Sequence, residues 1–172
     1  MSAAGIVCEY NPFHKGHLLH IEETRRALGQ DCTVVCVMSG DFVQRGDAAC
    51  ADKRTRALMA VRSGADLVLE LPLPWCLSSA EGFARGAVSI LSALGLDYIS
   101  FGSEAGETAG LEKIAETLLN PLVTQEKAAL PLFGTNELEI RYISVCKQRL
   151  AFLARHCKGQ NKAQLVYRIC PQ

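Results

Sequence analysis

Short apolar runs and helical stripes alternate through the first 120 residues. Residues 3–9 carry Ile6, Val7 and Cys8 in unbroken succession, the pattern of a strand buried on both faces. Asn11 and Pro12 break that run. Leu18, Ile21 and Leu28 then recur at helical spacing and predict a helix over about residues 16–28, with Gly29 as its C-terminal cap. Residues 33–38 (Thr-Val-Val-Cys-Val-Met) read as a second, central strand, followed by a polar loop over 39–47. Asp52 caps a second helix running to about residue 63, ended by Gly64. A third strand over 67–71 is stopped by Pro72 and Pro74. Ser78 or Ser79 caps the next helix, whose Phe83, Ala87, Ile90, Leu91 and Leu94 form one apolar stripe that reads as core packing. Gly95 ends it, and residues 98–101 form a fourth strand.

Strands alternating with helices at this spacing predict an α/β fold, a doubly wound parallel sheet with right-handed crossovers. Beyond residue 101 comes a Gly-rich turn over 102–107, then a helix over 108–119 broken at Asn120–Pro121. The pattern weakens after that. Residues 126–130 and 137–154 suit helices, and residues 164–169 suit a fifth strand. The expected organisation is a nucleotide-binding core over 1–120 and a divergent C-terminal part of the same domain over 121–172. A chain that stops directly after a strand looks cut short.

Composition narrows the classes. With 172 residues and 49% hydrophobic content, the chain is long enough and apolar enough for one globular domain. Eighteen basic and eighteen acidic side chains cancel, which excludes nucleic-acid binding by bulk charge but not by a local patch. No apolar run is long enough to span a bilayer, and the N-terminus has no secretory pattern. None of the eight cysteines forms a Cys-x-x-Cys pair. Cys32 and Cys36 would sit about 13 Å apart along one strand, too far for a disulfide. Most of the cysteines lie among apolar residues and read as small core residues of a reducing, cytoplasmic compartment, with a metal site as the minor alternative.

The chemistry is concentrated at the first strand–helix turn. His14-Lys15-Gly16-His17 sits where the helix begins, and there the N-terminal N–H groups and the helix dipole favour an anion. Gly16 permits close approach to the backbone. Two imidazoles and a lysine at such a point suggest a phosphate chain, most simply that of a nucleotide. A single histidine would more readily be an ordinary surface or core residue.

Several blocks then resemble one family. They are residues 9–17 (Glu-Tyr-Asn-Pro-Phe-His-Lys-Gly-His), residues 38–46 (Met-Ser-Gly-Asp-Phe-Val-Gln-Arg-Gly), Asp52 and Lys53 with Arg56, and residues 64–72 (Gly-Ala-Asp-Leu-Val-Leu-Glu-Leu-Pro). Ser79 and Ala80 with residues 83–87, and residues 101–104 (Phe-Gly-Ser-Glu), complete the set. Colinear and correctly spaced, they resemble the tRNA(Met) cytidine acetate ligases, nucleotidyltransferases with a His-x-Gly-His motif. The resemblance implies a Rossmann-like fold of about five strands. It implies that acetate attacks the α-phosphate of ATP, with magnesium accompanying the nucleotide, to give acetyl-adenylate and pyrophosphate. The acetyl group then passes to N4 of the wobble cytidine of elongator tRNA(Met).

By the same resemblance His14 and His17 are catalytic. The ATP site then comprises Val7, Cys8, Glu9, Tyr10, Asn11, Pro12, Phe13, His14, Lys15, Gly16, His17, Leu18, Leu19 and His20, with Gly102, Asn136 and Arg168. Asp41, Gln44 and Arg45 are weaker candidates, set against a plain solvated loop. Lys53 and Arg56 are weaker candidates as well, either to meet ATP or tRNA phosphates or to lie on a plain solvated helix face. Glu70 and Glu104 are either active-edge carboxylates or local hydrogen-bonding residues. No metal ligands are assigned. Residues 134–142 depart from the family's Asn-containing segment, and the family's later arginine motif and large C-terminal region have no counterpart here. A remnant that binds ATP without ligating, and an enzyme adenylylating a different small acid, are the competing expectations.

Overall fold

The structure, a computed structural model, describes residues 2–102 and the backbone of residues 166–168. The elements run β1 (Ala3–Cys8), α1 (Lys15–Leu28), β2 (Thr33–Ser39), α2 (Lys53–Arg62), β3 (Leu67–Leu71), α3 (Leu73–Cys76), α4 (Ala80–Ala93), β4 (Tyr98–Phe101) and β5 (Val166–Arg168). The five strands form one sheet in the order β3-β2-β1-β4-β5, and every neighbouring pair is parallel. This is the expected doubly wound α/β sheet. The predicted helices over 108–119, 126–130 and 137–154 lie outside the described residues.

The alternation of β2 shows why the sheet is covered on both sides. Val34, Cys36 and Met38 pack with Ile6, Ile21 of α1 and Ala60 of α2. Val35 and Val37 turn the other way, into a cluster with Leu71, Cys76, Phe83, Ala84, Ala87, Val88 and Leu91. So α1 and α2 cover one face, and α3 and α4 the other. The chain changes faces between β3 and β4, and strand order reverses beside β1. In open α/β sheets the crevice for ligands lies at that reversal, outside the carboxyl ends of the strands. Here that means the gap between β1 and β4.

Caps behave as the sequence predicts. Gly29 ends α1 with φ of 102° and donates to the Arg25 carbonyl. Asp52 caps α2 and accepts from the Thr55 N–H. Of the two serines proposed, Ser79 caps α4, accepting from Gly82 N at 3.2 Å.

Two local expectations need correction, and one cysteine falls outside the expected majority. Pro72 and Pro74 end β3, but they also start the short helix α3, with Pro72 as N-cap; a proline's fixed φ suits the first turn of a helix as well as the end of a strand. Leu94 leaves the α4 stripe because it is the C-cap, and it is 49% exposed. Among the described cysteines, all free, Cys50 is exposed on a loop and is not a core residue.

Candidate active site at the first strand–helix turn

After Cys8 the chain reverses sharply. Tyr10 takes φ of 46°, in the left-handed region that a bulky residue rarely adopts. The surrounding packing holds it there, with Tyr10 2% exposed. Its hydroxyl lies 3.3 Å from Cys36 Sγ. Burial raises the phenol pKa, so the group stays neutral. The turn continues through a cis Asn11–Pro12 bond into Phe13 and the helix.

His14 is the N-cap of α1. Its Nδ1 accepts from Gly16 N at 3.1 Å, while His17 Nδ1 accepts from the N–H of His14 at 3.2 Å. The pair is a capping box made of two imidazoles. The rings stack at 3.7 Å between centroids, and His17 also packs against Tyr10 at 4.8 Å and Phe13 at 5.5 Å. Burial, with the nearby His14 ring, lowers the His17 pKa to about 4.

An imidazole that accepts at Nδ1 carries its proton on Nε2. Both rings therefore carry an Nε2–H donor that the capping bonds do not use. This changes the expected anion site. The N–H groups of His14 and Gly16 are not open to a ligand, because the imidazoles already satisfy them. Each ring keeps a second donor, at Nε2. Lys15, in the first turn, is exposed.

The β2–α2 loop is laid against this turn by its own polar side chains. Gln44 N donates to Glu9 Oε1 at 2.6 Å, and Cys50 N donates to Asn11 Oδ1 at 2.6 Å. Gln44 Nε2 also reaches the Ser78 carbonyl at 3.3 Å. Glu9, Asn11 and Gln44 thus act at least in part as loop clasps. Arg45 is exposed at the loop tip. Lys53 donates to both oxygens of Glu70, at 2.8 and 2.9 Å, and its N–H donates to Asp41 Oδ1 at 3.0 Å. Glu70 is therefore a local partner of Lys53, as one of its two expected roles had it.

Arg56 overturns its expectation. It is 0% exposed. Its guanidinium donates to the carbonyls of Glu9, Ser39, Gly40 and Ala51. A group so enclosed cannot meet ATP or tRNA phosphates. It ties the end of β1 to the end of β2, beneath the histidine turn.

Val7 and Cys8 close β1, with Cys8 Sγ 3.7 Å from the Val37 carbonyl. Leu18 and Leu19 are half-buried on α1. His20, one turn beyond His17, crosses to β4, with Nε2 2.9 Å from Ser100 Oγ. Sequence reasoning gave no sign of Ser100 or Thr24, which hold it. Gly102 follows β4, and among the described residues no atom lies within 4 Å of where a Cβ would stand. Arg168 ends β5, in register with Phe101. Asn136 and Glu104 lie outside the described residues. Among the described residues no three His, Cys, Asp or Glu side chains gather as a metal site, and no helix is long and apolar enough to cross a membrane.

Known proteins resemble this chain in sequence and in fold. Residues 1–152 match the family model described as HIGH Nucleotidyl Transferase. The tRNA(Met) cytidine acetate ligase of Acetivibrio thermocellus is 53% identical over 120 residues, which is 69% of this chain and 29% of that protein. Its namesake from Caldicellulosiruptor bescii is 39% identical across 98% of this chain and 43% of its own length. The crystal structure of Thermotoga maritima TmcAL bound with alpha-thio ATP superposes with a TM-score of 0.79 at 32% identity, covering 99% of this chain and 47% of that one. The chain thus spans less than half the length of each of these proteins.

Proposed function

The chain belongs to the HIGH nucleotidyl transferase family, and on that premise we propose that it binds ATP in the crevice between β1 and β4 and adenylylates acetate. In this reading it is the N-terminal part of a tRNA(Met) cytidine acetate ligase. The acetate oxygen attacks the α-phosphorus and pyrophosphate leaves. The acetyl group of acetyl-adenylate is then transferred to N4 of the wobble cytidine of elongator tRNA(Met), releasing AMP.

The observation that carries the reading is the pair of stacked imidazoles whose Nδ1 atoms cap the helix, leaving Nε2–H as the remaining ring donor. Adenylylation builds negative charge on the α-phosphoryl oxygens and on the departing pyrophosphate. Fixed N–H donors offset that charge without a covalent step by the protein. Tilted ring packing against Tyr10 and Phe13 holds the His17 ring, so little reorganisation accompanies the reaction. Lys15 supplies a mobile positive charge for the same oxygens. Gly102 lets the nucleotide approach β4, and Arg168 and Asn136 complete the site from the C-terminal part. Magnesium arrives with the phosphates and is held chiefly by them and by water.

Acetate-dependent ATP–pyrophosphate exchange tests the proposal. His17→Ala removes one preorganised donor and is expected to slow exchange by about 10²–10³-fold, or roughly 2.7–4 kcal/mol of barrier. Exchange that survives at the unmodified rate would remove the imidazole pair from the mechanism.

A further inference from the structure

His20 is joined to Ser100 and Thr24 in a closed hydrogen-bond chain. Its Nε2 lies 2.9 Å from Ser100 Oγ, and Ser100 Oγ lies 2.8 Å from Thr24 Oγ1. Thr24 Oγ1 donates to the His20 carbonyl at 2.8 Å. Counting protons fixes every direction. A carbonyl only accepts, so the one hydroxyl proton of Thr24 is committed to it. Thr24 Oγ1 must then accept from Ser100. Ser100, its proton committed in turn, must accept from His20 Nε2–H. The alternative tautomer would leave two oxygens facing each other at 2.8 Å with no proton between them. Thr24 and Ser100 are 0% and 1% exposed, so bulk water cannot reset the order.

His20 is thereby held with a bare lone pair on Nδ1, which has no hydrogen-bond partner among the described residues. The three histidines of α1 are therefore not equivalent. His14 and His17 offer donors and suit phosphate oxygens, which at neutral pH only accept. A lone pair repels those oxygens and takes an O–H or N–H. In a nucleotide such groups occur only on the sugar and the base. His20 also stands at the strand-order reversal, tied to the strand that leads into Gly102.

We propose that Thr24 and Ser100 are positioning residues that lock His20 as the Nε2–H tautomer, so that His20 takes a hydroxyl or amino group of the nucleoside and not a phosphate oxygen. This rests on the nucleotide site proposed above. It orients the nucleotide, with phosphates at the start of α1 and the nucleoside one turn further on.

Two measurements test it. Long-range proton–nitrogen NMR correlations report the tautomer of each imidazole in the unmodified chain. His20 is expected as Nε2–H, and Ser100→Ala is expected to turn its signal into that of a tautomer mixture while His14 keeps its own. Nδ1 protonation of His20 in the unmodified chain, or an unchanged His20 signal in Ser100→Ala, would overturn the lock. Calorimetry with ATP and with inorganic tripolyphosphate tests the ligand assignment. In His20→Gln the side-chain amide can still donate to Ser100 but offers no acceptor in place of Nδ1. Its loss of affinity should be about tenfold larger for ATP than for tripolyphosphate, the equivalent of one hydrogen bond. His17→Ala should weaken both probes. Equal losses for the two probes in His20→Gln, or no loss for ATP, would overturn the assignment alone. Failure of the unmodified chain to bind either probe, or undiminished binding in His17→Ala, would overturn the nucleotide site and this proposal with it.

Discussion

Replacing Arg56 tests whether the active turn hangs on a buried cation. Arg56→Met keeps the length and apolar stem of the side chain but deletes every donor. Four carbonyls lose a partner: those of Glu9, Ser39, Gly40 and Ala51. The residues Ser39 and Gly40 are buried, so water cannot replace the guanidinium at their carbonyls. Each then costs about 1–3 kcal/mol of desolvation. Glu9 and Ala51 are only half-buried, and their carbonyls recover part of their loss by hydration. Some of the remaining cost is offset because Arg56 no longer has to be desolvated on folding. The net expectation is about 3–5 kcal/mol of destabilisation, set chiefly by the buried carbonyls left without a donor. With an m-value of about 2 kcal/mol/M, the urea midpoint should fall by about 1.5–2.5 M with m unchanged. Arg56→Lys keeps the charge on a single nitrogen that cannot span four acceptors, and should lose roughly half as much. If Arg56→Met does not fold, the lysine variant carries the test. A midpoint within 0.5 M of the unmodified chain for either variant (about 1 kcal/mol at that m-value) would refute the reasoning.

The other predictions concern pH, packing and the ligand. Burial lowers the pKa of both His17 and His20 to about 4, against 6.5 for a free imidazole. Between those values the unfolded chain binds more protons than the folded one, so stability is full above pH 6.5 and falls as pH drops toward 4. For the more buried His20 the loss is at most on the order of 3 kcal/mol, and a melting series in His20→Gln should show a correspondingly flatter slope. An unchanged slope would assign the acid sensitivity elsewhere. Gly5→Ala places a Cβ 2.6 Å from both terminal carbons of Leu91, which is 1% exposed. It should cost about 1–3 kcal/mol by overpacking, measured by urea unfolding; a neutral result would mean that α4 shifts freely on β1. The exchange defect of His17→Ala and the split between ATP and tripolyphosphate in His20→Gln complete the set.

The framework was legible because it is written in local terms. The apolar runs at Ile6–Val7–Cys8 and at Val34–Val35–Cys36–Val37 mark interior strands, since residues buried on both faces need no alternation. Gly29, Asp52 and Ser79 mark helix ends through φ or side-chain chemistry that a single residue supplies. The histidine turn was legible as a place, but its wiring was not. That His14 and His17 would satisfy the helix start themselves depends on ring rotamers, which spacing does not specify. Arg56 looks like any cation on an amphipathic helix. Its burial depends on carbonyls from three separate segments converging on it. Tyr10 carries no glycine signal for its positive φ, because tertiary packing imposes that conformation. Thr24 and Ser100 are 76 residues apart and meet only once α1 lies beside β4.

The imidazole capping box has an electrical consequence. Each ring receives a backbone N–H of α1 at Nδ1 and offers a proton at Nε2. Hydrogen bonds in series polarise one another, so electron density drawn toward the backbone donor leaves the far proton more positive. The partial positive charge at the helix terminus is thus not blocked by its caps. It is relayed by polarisation of the two rings to their Nε2–H groups. In effect α1 has been lengthened by two polarisable contacts, whose strength as donors depends on the integrity of the first helical turn. Fraying of that turn would therefore dim the donors before it displaced them.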